Sequence, residues 1–174
     1  MSFWTENSLE PKRNFRFRLG STYGLDLGKT GKSPYWWSAK KVDKPSYTVN
    51  TNKYRLINHE INVPGIVSWN PIAIEIVDIG KTVSNLLSEL KSFGYSPTEL
   101  SADTGLKKTD AMKEIGEIRI EQMNGLGDPI ETWNLIGGII TEARFGSLDY
   151  SSDELVSISL TIAYDYATFS EPEK

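Results

Sequence analysis

Between Glu154 and Phe169 the chain alternates almost without interruption. Val156, Ile158, Leu160, Ile162, Tyr164 and Tyr166 fall on one side, and Ser157, Ser159, Thr161, Ala163 and Asp165 on the other. A period of two belongs to a β-strand, whose side chains point alternately to opposite faces. A strand of this length with one apolar face is not stable alone; it needs partner strands and a layer to cover that face. Val156, Ile158, Leu160, Ile162 and Tyr164 are therefore the expected core.

Other stretches can supply the partners. Phe15, Phe17 and Leu19 alternate with Arg16 and Arg18, which predicts a first strand from Asn14 that Gly20 closes. Tyr35-Trp36-Trp37 opens a second strand reaching Val42, and Tyr47 to Thr51 reads as a third, with Asp43-Lys44-Pro45 as the turn. Residues 53–63 are strand-like but mixed and end at Pro64-Gly65. Trp69 to Asp78 reads as a core strand through Ile72, Ile74 and Ile76. The period then changes to that of a helix: Val83, Leu86, Leu87, Leu90 and Phe93 share one face from about Thr82 to Phe93, with Thr82 as N-cap and Gly94 past the end. Residues 96–113 are polar and carry turn residues.

Strands resume at Ile118 and Ile120, which alternate with Glu117, Arg119 and Glu121. Asn124 to Pro129 is a turn cluster, and Glu131–Ile136 and Ile139–Arg144 flank a Gly137-Gly138 bulge or bend. The order predicts a mainly β, antiparallel sandwich or barrel with one flanking helix at about 82–93. It forms a single domain over residues 1–174, with residues 1–13 as an extended arm.

Catalytic and metal signals are thin. The chain has no cysteine, which removes disulfides, thiolate zinc sites and cysteine nucleophiles. Its one histidine, His59, has no second ligand or nucleophile elbow near it in sequence. Gly24 to Ser33 contains Gly-Lys-Thr-Gly-Lys-Ser, but neither register has the glycine that a phosphate-cradling loop requires five positions earlier, so it reads as a turn. Most carboxylates alternate with apolar residues as solvated strand faces. No enzyme activity, cofactor or metal is expected. Tyr35, Trp36 and Trp37 leave a carbohydrate-binding β-sandwich open as an alternative. With no apolar run of about 18 residues and no basic-then-apolar leader, no membrane partner and no export are expected.

Charge is unevenly spread. Residues 1–57 hold 11 Lys and Arg against 4 Asp and Glu, a balance of +7, and residues 58–174 hold 8 against 19, a balance of −11. The basic residues interleave with strand patterns, so oppositely charged faces that meet in a neighbouring copy fit better than a nucleic-acid arm. Arg16, Arg18, Lys40, Lys41 and Lys44 are candidate donors; Glu142, Asp149, Asp153 and Glu154 are candidate acceptors.

The element order, and two groups of phrases, resemble the tail tube proteins of contractile-tailed bacteriophages. One group is Glu60-Ile-Asn-Val-Pro-Gly65 with Trp69, the strand to Asp78 and the helix. The other runs from Trp133-Asn-Leu-Ile-Gly137 through Phe145-Gly-Ser-Leu-Asp149, Ser152 and Glu154-Leu-Val to Leu160-Thr-Ile-Ala-Tyr-Asp-Tyr166. The resemblance implies a structural subunit of a virion, assembled in the host cytoplasm. Six copies would form a ring, and stacked rings a tube that conducts DNA during ejection without binding it specifically. Implied partners are other copies of the chain and the sheath, baseplate and tail-terminator proteins; a baseplate tube initiator is the nearest variant. For such a tube a polar, on balance negative lumen is expected, with Glu117, Glu121 and Glu131 as candidate lining, since a basic wall would hold the phosphates of DNA.

Overall fold

The computed structural model describes residues 11–21, 36–92, 108 and 115–171, the side chains of residues 89 and 92 excepted. Residues 1–10 of the expected 1–13 arm, the Gly24–Ser33 stretch, Tyr35, Phe93 and most of residues 96–113 lie outside the described residues. In chain order the elements are β1 (Phe17–Ser21), β2 (Ala39–Val42), β3 (Ser46–Leu56), β4 (His59–Asn70), β5 (Ile72–Val77), α1 (Thr82–Ser92), β6 (Ile118–Met123), β7 (Pro129–Ile136), β8 (Ile139–Arg144), β9 (Ser157–Ala163) and β10 (Tyr166–Ser170).

They form two four-stranded antiparallel sheets and a separate hairpin. The first sheet runs β1-β6-β7-β10, the second β2-β5-β9-β8, and among the described residues β3 pairs only with β4. Leu19, Ile118, Ile120 and Leu135 of the first sheet share one core with Ile72, Ile74, Ile76, Ile158, Leu160 and Ile162 of the second. The architecture is thus a sandwich, and no closed barrel forms among the described residues. Leu86 and Leu90 of α1 join the same core.

The long alternating stretch is two strands in different sheets. β9 pairs with β5 and β8, whereas β10 pairs with β7. The chain crosses between sheets at Tyr164 and Asp165, and the Asp165 amide donates to the Ile136 carbonyl at 2.9 Å. Beside it, β7 crosses the other way into β8 through Gly137-Gly138. Gly137 has φ +73°, and a Cβ there would run into the Asp165 carboxylate, so the two crossings fit against each other only with a glycine at this corner. Ile158, Leu160, Ile162 and Tyr164 are buried; Val156, ahead of the strand, is half-buried, and Tyr166, past the crossing, is exposed.

Other boundaries also move. Pro71 separates β4 from β5, so Trp69 ends the hairpin and does not begin the core strand. Residues 53–63 are not one mixed strand; they turn back at Ile57-Asn58, and β4 continues through Pro64-Gly65. The Thr82 hydroxyl does not cap α1 from outside. It accepts from the Ile79 amide at 3.2 Å, while the Lys81 carbonyl accepts the first helical bond, from Asn85.

Candidate assembly surface

The β3–β4 hairpin has the least internal support of any element. Every residue from Ser46 to Ser68 is exposed. Its register puts the apolar residues on opposite sides at root and tip. At the root, Tyr47 pairs with Trp69 and Val49 with Val67. Tyr47 and Trp69 meet edge to face with centroids 5.4 Å apart, and Trp69 reaches the buried Tyr164 at 5.8 Å, so this side leans on the sandwich. On β3 that side continues as Thr51, Lys53 and Arg55, opposite Pro64, Asn62 and Glu60. Tyr54, Leu56, Ile61 and Val63 fall on the other side of the tip and are exposed. A two-stranded ribbon is marginal alone, and it carries unpaired backbone groups along both edges.

A second exposed apolar surface lies between β8 and β9. Residues 145–156 have no regular structure, and most of them, from Gly146 to Val156, line a cleft of about 850 Å³ together with Ser157. Leu148, Tyr150 and Leu155 project from it into solvent, and it carries Asp149, Asp153 and Glu154 with no Lys or Arg. The Ser151 amide and hydroxyl donate to Asp149 at 2.9 and 2.8 Å, and the amide first, then the hydroxyl, draws its pKa below the ordinary value.

The remaining charges are mostly engaged within the protomer. Arg18 pairs with Glu121 at 2.8 Å, Lys40 with Glu75 at 3.0 Å, and Arg144 with Glu142 at 2.7 Å. Glu131 accepts from Lys12 at 2.5 Å, Lys44 at 2.7 Å and the Trp133 indole at 2.6 Å. Burial pushes its pKa up, but those three hydrogen bonds and the Lys44 charge outweigh it and hold the carboxyl at about 2. Three expected inter-copy donors, Arg18, Lys40 and Lys44, are therefore held by carboxylates of their own chain. Arg16 is half-buried, its guanidinium over the Phe15 ring at 5.6 Å. Lys41 is exposed.

Glu117, Glu121 and Glu131 do not share a surface. Arg18, Glu121 and Thr132 form one cross-strand row, and Arg119, Asn134 and Thr168 another, on the face of the first sheet turned away from the core. Glu117 precedes this strand in the same phase. Glu131 is opposite Gln122, in phase with Ile120, Trp133 and Leu135, and so belongs to the core-side face. Trp36 is buried, with only Trp37 exposed, so the described tryptophans form no paired sugar-stacking platform. No cluster of three metal-ligating side chains occurs among the described residues, and no described helix is long and apolar enough to cross a membrane.

No family model matches the sequence, and no curated relative does. Solved structures do match. A chain of an extracellular contractile injection system, from the PVC sheath–tube complex in the extended state, aligns with a TM-score of 0.66 at 18% identity over 96% of this chain and 99% of that one. A chain of the anti-feeding prophage baseplate aligns at 0.62 and 14% identity over 93% and 97%. The fold is that of contractile-tail tube proteins. An Hcp protein shares it at a TM-score of 0.51 and 12% identity, over 90% of this chain and 89% of that one. At these identities the tube fold is what is shared. Within it, the apolar tip of the hairpin is the feature that a burial-blind reading of residues 53–63 missed. The signal was present as Tyr54 and Leu56 before the turn and Ile61 and Val63 after it.

Proposed function

We propose that the chain is a structural, non-catalytic subunit of the inner tube of a contractile injection machine. Copies assemble into six-membered rings, the rings stack, and the lumen passes cargo; in a phage tail that cargo is DNA during ejection. The observation that carries this reading is the amphipathic hairpin. Its apolar tip residues Tyr54, Leu56, Ile61 and Val63 are exposed in the single chain, and an exposed apolar, two-edged ribbon is stabilised by association with another chain. The tube fold supports the same reading.

In such a tube the polar face of the first sheet, with Glu117, Arg119, Thr132 and Asn134, is the candidate lumen lining; Glu121 shares that face but is buried, paired with Arg18. Its Arg–Glu pairing offers phosphates no uncompensated basic wall. Sheath, baseplate and terminator proteins are the further partners. A baseplate tube initiator is the second reading, favoured by the likeness to a chain of a baseplate.

The test is light scattering on the protein and on an Ile61→Asp, Val63→Asp variant. The expected result is large assemblies for the first, and for the second a folded monomer with unchanged circular dichroism. Equal assembly by both proteins would contradict the reading.

A further inference from the structure

The hairpin and the acidic β8–β9 loop lie at opposite ends of the second sheet. β5 and β9 run antiparallel, with Ile72 opposite Ile162 and Val77 opposite Ser157. The hairpin springs from the Ile72 end, where Trp69 contacts Tyr164. The loop closes the Val77 end, where the Asp78 amide donates to the Val156 carbonyl at 2.9 Å. The two ends are about 17 Å apart at the usual rise of a strand.

We propose that the hairpin tip of one copy seats in the β8–β9 loop cleft of the next copy. The inference rests on the tube-subunit reading and names the surface that the hairpin meets. The two surfaces match in chemistry. Leu56 and Ile57 at the tip, with Tyr54 beside them, meet the exposed Leu148, Tyr150 and Leu155. Arg55 faces a loop that carries three carboxylates and no cation, while Lys53 beside it pairs with Glu60, the tip's one carboxylate, at 3.3 Å. Placement at opposite ends makes the contact heterologous, so the same junction can repeat from copy to copy. A surface that paired with itself would stop at a dimer.

The absence of cysteine from the chain makes the contact directly measurable. Ile57→Cys and Leu148→Cys variants, given different size tags, are mixed as full chains under assembly conditions, oxidised and resolved on a non-reducing gel. The expected result is a mixed disulfide more abundant than the two self-pairings together. A charge swap gives a second readout. Arg55→Glu and the double variant Asp153→Lys, Glu154→Lys should each lengthen the lag of assembly, and both mixing the two and placing all three changes in one chain should shorten it again, because either arrangement lets opposite charges meet at every junction. If the unmodified protein assembles while self-pairings dominate and the three-change chain recovers nothing, this seat is overturned and the tube-subunit reading stands. If the unmodified protein remains a monomer, both fall.

Discussion

Glu131 draws two chain segments onto β7, because Lys12 comes from the segment before β1 and Lys44 from the β2–β3 turn. With a folded-state pKa of about 2 against an ordinary value of 4.5, its contribution to stability is complete above about pH 4.5 and fades as pH falls through about 2. The shift corresponds to a little over about 3 kcal/mol. Glu131→Gln should cost about 1 to 3 kcal/mol at neutral pH, and urea midpoints compared at pH 7 and pH 3 should show a smaller acid-induced loss in the variant. Leu160, fully buried in β9, should cost about 2 to 5 kcal/mol as alanine, whereas Leu148→Ala should stay within about 0.5 kcal/mol. Gly146 has φ +80°, and a Cβ there would lie 2.7 Å from the Ser157 carbonyl oxygen. Gly146→Ala should therefore cost at least about 1 to 3 kcal/mol in the same unfolding measurement. Burial at Ile158, Leu160 and Ile162 was legible in sequence because alternation alone determines it inside a strand. The place of Glu131 was not, since its face depends on a register with β6 that no local pattern encodes.

Among the elements, the helix and the core strands follow from periodicity, and the hairpin and the crossing at Asp165 do not. A tight β-turn normally announces itself with glycine or asparagine at its positive-φ positions. Here Ile57 takes φ 46°, which a β-branched residue rarely adopts, so the turn that divides residues 53–63 carries no clear signature. At Tyr164 and Asp165 the alternation itself persists while the chain changes sheet, and periodicity cannot report which sheet a strand joins. The β2–β3 turn also changes what a charge reversal tests. Lys44→Glu would set a second carboxylate against Glu131 and should lower the unfolding midpoint of the monomer. Lys41→Glu, at an exposed site near Glu75, should leave it nearly unchanged. Thermal melts of the two variants at equal concentration make the comparison. Equal midpoints would mean that the Lys44–Glu131 contact contributes nothing to stability.

For the whole molecule, the basic first third and acidic remainder suggested complementary surfaces between copies. Several of those opposite charges instead meet inside the protomer, joining residues 12, 18, 40 and 44 to carboxylates on β5, β6 and β7. The acidic loop at residues 149–154 and the exposed hairpin are the surfaces proposed to meet between copies, and in that proposal apolar area supplies most of the attraction, because exposed ion pairs each contribute only about 0 to 1 kcal/mol. The function proposed for this tube-fold chain is to assemble with itself. Electron microscopy of the purified protein over a range of concentration tests it most directly. Rings with a central lumen, stacking into tubes as concentration rises, are the expected result. Compact monomers at every concentration would contradict it.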